Sequence, residues 1–90
     1  MNLYLISQTD NATYDSYRSA VVAAKSEAAA RLVHPDGSGR KLTDDREASW
    51  VTDPKLVAAT WVGVAKPGTE SGTVVCADFC GERQLAAAET

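Results

Sequence analysis

The stretch from Leu3 to Ala24, LYLISQTDNATYDSYRSAVVAA, decides the fold. Its first part, Leu3 to Gln8, is apolar and β-branched at Ile6, which predicts a strand. Thr9 to Ala12 predicts a turn, because Asp and Asn side chains hydrogen-bond to nearby backbone and tolerate left-handed φ. Tyr14 to Ala24 carries aromatic and β-branched residues and predicts a second strand. The two predicted strands form an antiparallel hairpin.

A short helix is predicted directly after this hairpin. Ser26 suits the N-cap, and Glu27 places a negative charge in the first turn, where the helix dipole favours it. The segment Glu27 to Val33, EAAARLV, has high helix propensity through its alanines. Pro35 disfavours α geometry at the preceding residue, so the helix is expected to end near Val33. It is barely two turns long, and packing must hold it.

The middle of the chain is polar, and a strand pattern returns after it. Pro35 to Glu47, PDGSGRKLTDDRE, predicts a loop that is long for a compact domain. Asp53 before Pro54 suits the start of a short helical turn with proline at its first position. Lys55 to Ala65, KLVAATWVGVA, predicts the longest strand.

The last part of the chain predicts a second hairpin. Lys66 to Gly72 is rich in turn residues, and Thr73 to Phe79 is expected to pair back onto the preceding strand. Gln84 to Ala88 adds a helical turn or frays. The element order is therefore β-β-α-β-β, and the predicted class is α+β: a small antiparallel sheet of two hairpins with one short helix packed on a face.

Length and composition limit what the chain can build. Its 90 residues form a single domain, residues 1–90, since a second domain would be too small to keep its own core. Fifteen of the apolar residues are alanines, so the larger side chains suffice for one thin core. Little interior is left for a deep catalytic pocket.

Charge and the N-terminal sequence bear on partners and location. The net charge is −3 and no basic stripe exists, so direct binding to a nucleic-acid backbone is not expected. The N-terminus, MNLYLISQ, has no basic region, and its apolar run is much shorter than a signal-peptide core or a membrane span. We expect a cytoplasmic protein, in the host cell cytoplasm, with no membrane contact.

The two cysteines, Cys76 and Cys80, are the nearest approach to a chemical motif. In a strand they lie about 13 Å apart, which exceeds the limit of about 7 Å between the Cα atoms of a disulfide. A structural zinc site needs four ligands, and the chain has two cysteines and one histidine. We interpret both as thiols without a role in function, and we predict no metal and no cofactor.

Other polar residues are weighed as catalytic candidates. His34 is interpreted as a cation at the helix C-terminus or as a hydrogen-bonded cap of the turn. The glycines of the segment Gly37 to Arg40 lack the spacing of a phosphate-binding loop. We therefore predict no catalytic residue, with a small enzyme that uses His34 with Asp or Cys groups kept as an alternative.

Two groups of residues have the composition of a partner-binding surface. Tyr and Arg are enriched at interface hot spots, and Tyr14, Asp15, Tyr17 and Arg18 lie close together in the second predicted strand. The competing interpretation packs one tyrosine in the core. Two acidic residues of the polar loop are added to this group. The predicted partner-binding residues are therefore Tyr14, Asp15, Tyr17, Arg18, Asp44 and Asp45. Trp50 and Trp61 are both predicted to be core residues.

The segments LYLISQ, YDSYRSAVVAAKSEAAARLVHP and VVCADF resemble a family of small, uncharacterised proteins from phages, prophages and bacteria. The family pattern contains a leading LYLISQ-type strand, a YDxYDSAVVAA segment and a helix that ends in IHP. Arg18 departs from it, because the pattern has an acidic residue there. The resemblance covers most of the chain and implies a mobile-element context, without implying an activity.

These observations together predict a small non-enzymatic protein that blocks or modulates a bacterial host protein. Small phage proteins commonly act by covering a working surface of a host protein, as inhibitors of bacterial defence such as anti-CRISPR proteins do. The second alternative is a self-associating structural protein, for example a homodimer. An unpaired, uncharged edge strand is the structural feature that favours this alternative.

Overall fold

The computed structural model describes residues 1–10, 16–44 and 49–80. Within these ranges the chain forms four strands, one short α-helix and two 3₁₀ turns. The strands are β1 (Asn2–Ser7), β2 (Ser16–Ala24), β3 (Ala58–Val64) and β4 (Val74–Cys80); the helix is α1 (Glu27–Ala30), and the 3₁₀ turns are Leu42–Asp44 and Pro54–Leu56.

All four strands belong to one antiparallel sheet in the order β3-β1-β2-β4. The predicted α+β class, a small antiparallel sheet with one short helix, is confirmed. The first predicted hairpin is also confirmed, because β1 pairs with β2 from Asn2 opposite Ala24 to Ser7 opposite Ser19.

The second predicted hairpin is wrong. β3 pairs with β1 and β4 pairs with β2, so these two strands lie at opposite edges of the sheet. Residues 65–73 cross one end of the sheet between them: Ala65 N–H donates to the Met1 carbonyl at 2.9 Å, and Gly72 N–H donates to the Ala23 carbonyl at 2.7 Å. Three interstrand steps span only about 14 Å, which this connection is long enough to cover.

The helix and the turn before β3 follow local sequence rules. Ser26 is the N-cap, and its Oγ accepts a hydrogen bond from Ala29 N–H at 3.2 Å, as predicted. The α-helix ends at Ala30 rather than near Val33, because the next residues tighten into i→i−3 bonds such as Leu32 N–H to the Ala29 carbonyl. Asp53 caps the second 3₁₀ turn, with Pro54 at the start of that turn, which confirms the predicted helical turn.

One face of the sheet is covered and carries the core. Ile6 and Val22 are fully buried there, and the helix, the Leu42 turn and the segment around Trp50 pack over them. Trp50 is 2% exposed, so its predicted core position is confirmed. Trp61 was predicted to be a core residue as well, and this is wrong, because the side chain is 58% exposed on edge strand β3. The buried core residues are Tyr4, Ile6, Tyr17, Ala20, Val22, Ala24, Ala30, Leu42, Trp50, Val51 and Val57.

Candidate functional site

The predicted recognition cluster is divided by the structure. Tyr14 and Asp15 lie outside the described residues. Tyr17 is 8% exposed and packs against the Phe79 ring at a centroid distance of 4.8 Å and against His34 at 6.2 Å. It is therefore a core residue, as the competing interpretation has it, and its role in partner binding stays a prediction. Arg18 is half-buried, and its role in partner binding stays a prediction.

A strand irregularity explains why Tyr17 turns inward. The pairing of β2 with β4 shifts between Tyr17 and Ser19, where Arg18 has no directly opposite residue. The alternation of faces is interrupted at Arg18, and Tyr17 is buried. An uninterrupted strand would have placed Tyr17 on the same face as Ser19 and on the opposite face from the core residue Ala20.

The acidic pair of the polar loop is only partly described. Asp44 is the last residue of the 3₁₀ turn that begins at Leu42, and Asp45 lies outside the described residues. Their prediction as partner-binding residues stays a prediction. The lone apolar residue of the loop, Leu42, is 3% exposed and anchors this turn to the core.

The segment after the helix folds into a hydrogen-bonded loop around one carboxylate. Asp36 N–H donates to His34 Nδ1 at 3.1 Å, which confirms that His34 caps the turn. Asp36 Oδ1 accepts from both the N–H and the Oγ–H of Ser38, at 2.8 and 2.7 Å. Arg40 Nε lies 3.1 Å from Asp36 Oδ2. This loop holds its own polar groups together.

The surroundings of Asp36 change its acidity. Partial burial raises the pKa of the carboxyl group, but the hydrogen bonds from Ser38 and the electrostatic effects of the neighbouring His34 and Arg40 outweigh it. The pKa of Asp36 is therefore lowered from the ordinary value of 3.8. The ionised form, which accepts these hydrogen bonds, is the form that the fold stabilises.

Ser38 and Cys76 are not placed as nucleophiles beside His34. The carboxylate of Asp36 lies between His34 and Ser38, and Ser38 donates to this carboxylate rather than to the imidazole. His34 is 1% exposed and packs on the covered side against Tyr17, whereas Cys76 is exposed on the opposite side of the sheet. Among the described residues, neither Ser38 nor Cys76 is placed for His34 to take its proton.

The cysteines and the other donors offer no metal centre within the described ranges. Cys76 and Cys80 both lie in β4, as the strand interpretation required, and Cys76 is an exposed free thiol. No group of three or more His, Cys, Asp or Glu side chains in residues 1–10, 16–44 and 49–80 is arranged to hold a metal ion.

The side of the sheet opposite the core is apolar at its centre. We call it the open face and define it by Leu3, Leu5, Val21, Thr60 and Cys76. Four of these residues form one row across all four strands, since Leu5 lies between Thr60 and Val21, and Val21 lies opposite Cys76. Leu5 is 38% exposed at the centre of the row. Solvated faces of antiparallel sheets are normally polar, so these residues are unusual there.

A depression of about 290 Å³ lies on the β4 side of the open face. Leu5 and Val21 form its apolar floor together with Cys76, and the exposed carboxylate-bearing residue Asp78 stands at its rim. Such a depression accepts an apolar side chain of a partner while polar groups at the rim orient it.

The edge strand β3 is a second exposed apolar feature. Its sequence, AATWVGV, contains no charge and no proline. Trp61, Val62 and Val64 are 58%, 50% and 67% exposed, and Trp61 Nε1 donates to Asn2 Oδ1 at 3.3 Å. Sequence reasoning found the strand but missed its exposure, because the lack of charge suits a buried central strand equally well.

Comparison with protein-family models, with curated proteins and with solved structures gave no match. The structure gives the class of the protein: it is a small α+β protein with one four-stranded antiparallel sheet and a short helix on one face. In the part of the chain that the structure describes, no helix has both the length and the apolar character needed to cross a bilayer.

Proposed function

We propose that this protein is a non-catalytic binding module that blocks or modulates a bacterial host protein, and that the open face carries the contact. The observation that supports the proposal is the exposed apolar row through Leu5, Val21 and Cys76. Contiguous exposed apolar surface on a small domain is typical of interaction sites.

The size of the open face sets how far the contact has to extend. Four strands of six to nine residues present a surface on the order of 400 Å². A stable protein–protein interface buries about 800 Å² on each partner. The host protein is therefore expected to contact the rim of the face as well as its centre, including the depression beside Asp78.

The context of the proposal comes from the resemblance to small phage and prophage proteins. A protein of this size acts most simply by occupying a surface of its target. An inhibitor of a bacterial defence system, such as an anti-CRISPR protein, is an example of this class. The host cell cytoplasm is the compartment in which such a target is met.

Affinity capture from bacterial lysate, followed by quantitative mass spectrometry, tests the proposal when it is done with matched variants. Leu5→Thr and Val21→Thr keep β propensity but make the open face polar. Leu32→Thr is the control, because Leu32 is 59% exposed on the helix side of the molecule. We expect the wild type and the control to capture the same host protein. The amount captured by the two open-face variants should be at least tenfold lower.

Two outcomes would contradict the proposal. One is retention of the same host protein by all variants, which would remove the open face from the contact. The other is the lack of any specific partner together with turnover of a compound in a metabolite or nucleic-acid screen, which would make the protein an enzyme.

A further inference from the structure

The helix side of the molecule holds a cavity of about 330 Å³, away from the open face. Three separate parts of the chain meet there: the residues after α1, the first 3₁₀ turn and the segment that enters the second 3₁₀ turn. The volume lies at the lower end of the range for small-molecule sites, about 300–1,000 Å³. The described residues that line the cavity are Leu32, Lys41, Leu42, Thr43, Thr52 and Pro54.

The walls of this cavity are anchored in the core. Leu42 is 3% exposed and holds the first 3₁₀ turn in place. Val51 and Val57, which are also 3% exposed, hold the chain on either side of the second turn. Within that turn, Asp53 Oδ1 accepts from Lys55 N–H at 2.9 Å. The cavity is therefore largely pre-formed, and a ligand does not have to order its walls.

Hydrocarbon forms one part of the lining. Leu32, Leu42 and Pro54 come from the three different parts of the chain and border the same cavity. Leu32 is 59% exposed, so more than half of its surface is still in contact with water. Covering such a side chain with the apolar part of a ligand is favourable, because it removes apolar surface from water.

The polar part of the lining carries a single positive charge. Lys41 is exposed and is the charged residue among the described lining residues. In the described part of the chain, no carboxylate forms an ion pair with it. Asp53 does not line the cavity, and its carboxylate accepts from Lys55 N–H. The hydroxyl groups of Thr43 and Thr52 add hydrogen-bond donors. One ammonium group and two hydroxyl groups suit a group with one negative charge.

We propose that this cavity binds a small amphiphilic carboxylate, with its hydrocarbon chain against Leu32, Leu42 and Pro54 and its carboxylate at Lys41. At roughly 30 Å³ for each non-hydrogen atom, the share of a water molecule in the liquid, the cavity holds about ten such atoms, as in a carboxylic acid of about seven or eight carbons. A ligand this small makes few contacts, so the affinity is millimolar. The inference does not rest on the contact with a host protein, which uses the open face.

Titration with heptanoate and with 1-heptanol, each up to about 10 mM to cover weak affinities, tests the proposal by NMR of the backbone amides. The two probes share the same hydrocarbon chain and differ in the charge of the head group. We expect both to shift the amide signals of Leu32, Leu42 and Thr52. Heptanoate should bind about fivefold more tightly, the effect of an exposed ion pair. The absence of shifts at these residues, or shifts confined to Leu5 and Val21 on the open face, would overturn the proposal.

Two lysine variants test where the carboxylate binds. Lys41→Gln removes the charge at the cavity, and Lys66→Gln is the matched control, because Lys66 is exposed in the connection between β3 and β4. In Lys41→Gln the affinity for heptanoate should fall about fivefold, to that for 1-heptanol, while the affinity for 1-heptanol stays the same. The control should keep the preference of the wild type. A Lys41→Gln protein that still preferred heptanoate would contradict the role of Lys41.

A third variant tests where the hydrocarbon chain binds. Leu32→Ala removes apolar surface from the wall at a position that is already 59% exposed, and circular dichroism checks that the variant is folded. The affinity for heptanoate and the affinity for 1-heptanol should both fall about threefold, because both probes lose the same apolar contact. Unchanged affinity for both probes would overturn the placement of the chain against Leu32.

Discussion

The covered face and the open face of the sheet are built from the same strands but experience different surroundings. In β1, Ile6 is fully buried beneath the helix side, while its neighbour Leu5 is 38% exposed on the other side. In β2 the same contrast holds between Val22 and Val21. The strands are apolar on both faces, but the described helix and loops cover one of them. An apolar side chain in this sheet is thus a core residue or a contact residue according to the face it lies on.

The largest effect is expected from the two tryptophans, which share a residue type and differ in burial. Trp50→Ala removes an almost fully buried aromatic side chain and should cost about 3–5 kcal/mol of unfolding free energy. Such a loss is comparable to the whole stability of a small domain. Trp61→Ala, at an exposed edge position, should cost less than about 1 kcal/mol. Urea unfolding followed by circular dichroism measures both, and equal losses would contradict the assignment of Trp61 to the exposed edge.

A second prediction separates the buried and the half-buried neighbours at the start of β2. Tyr17→Ala loses the ring contacts with Phe79 and His34 and should cost about 3 kcal/mol. Arg18→Ala should lower the melting temperature much less. Melting and partner binding are to be measured on the same variants. If Tyr17→Ala lost binding at an unchanged melting temperature, the assignment of Tyr17 to the core would be contradicted.

A third prediction compares adjacent residues on opposite faces of β1. Ile6→Ala empties a core position and should cost about 2–4 kcal/mol. Leu5→Ala should cost roughly 1 kcal/mol or less, because much of its surface already contacts water. Denaturant unfolding of the two variants gives the difference directly. If the two losses were similar, a covering segment would have to lie on the open face as well.

The smallest effect concerns the loop around Asp36 and its dependence on pH. Because the folded protein lowers the pKa of Asp36, this carboxylate stabilises the fold above the ordinary carboxyl pKa of 3.8. The contribution is lost as the pH falls through the lower pKa of the folded state. Asp36→Asn should reduce stability at pH 7 by about 1 kcal/mol, the contribution of a typical hydrogen bond. The difference between the wild type and this variant should shrink in strong acid, as urea unfolding at several pH values would show; an unchanged difference would contradict the argument.

The local elements of the fold were predictable from particular residues. Ser26 and Asp53 are caps because their side chains accept from backbone N–H groups within the same turn. The β1–β2 hairpin was predictable because its strands are adjacent in the chain. The sequence placed the end of the helix up to a turn too late. Helix propensity is similar along EAAARLV, so it does not show where the regular helix stops; the packing of Val33 and His34 decides that.

The candidate surfaces were predicted less well, because exposure depends on strand order. Both faces of β1 carry apolar residues, so the sequence does not show which face is covered by the core and which is the open face. Trp61 has the composition of a core residue, and only its position on edge strand β3 exposes it. Tyr17 was open to either interpretation, and the shift in pairing between β2 and β4 decided for the core.

The sequence alone thus determined the α+β class, the first hairpin, the helix start at Ser26 and the turn at Pro54. Each of these depends on propensity, capping or alternation among residues close together in the chain. Tertiary structure alone decided that β4 pairs with β2 rather than β3, and therefore which residues lie at the edges of the sheet. Strand order is a competition among distant segments for hydrogen-bonding partners and for the burial of apolar surface, and its outcome depends on the whole assembled sheet.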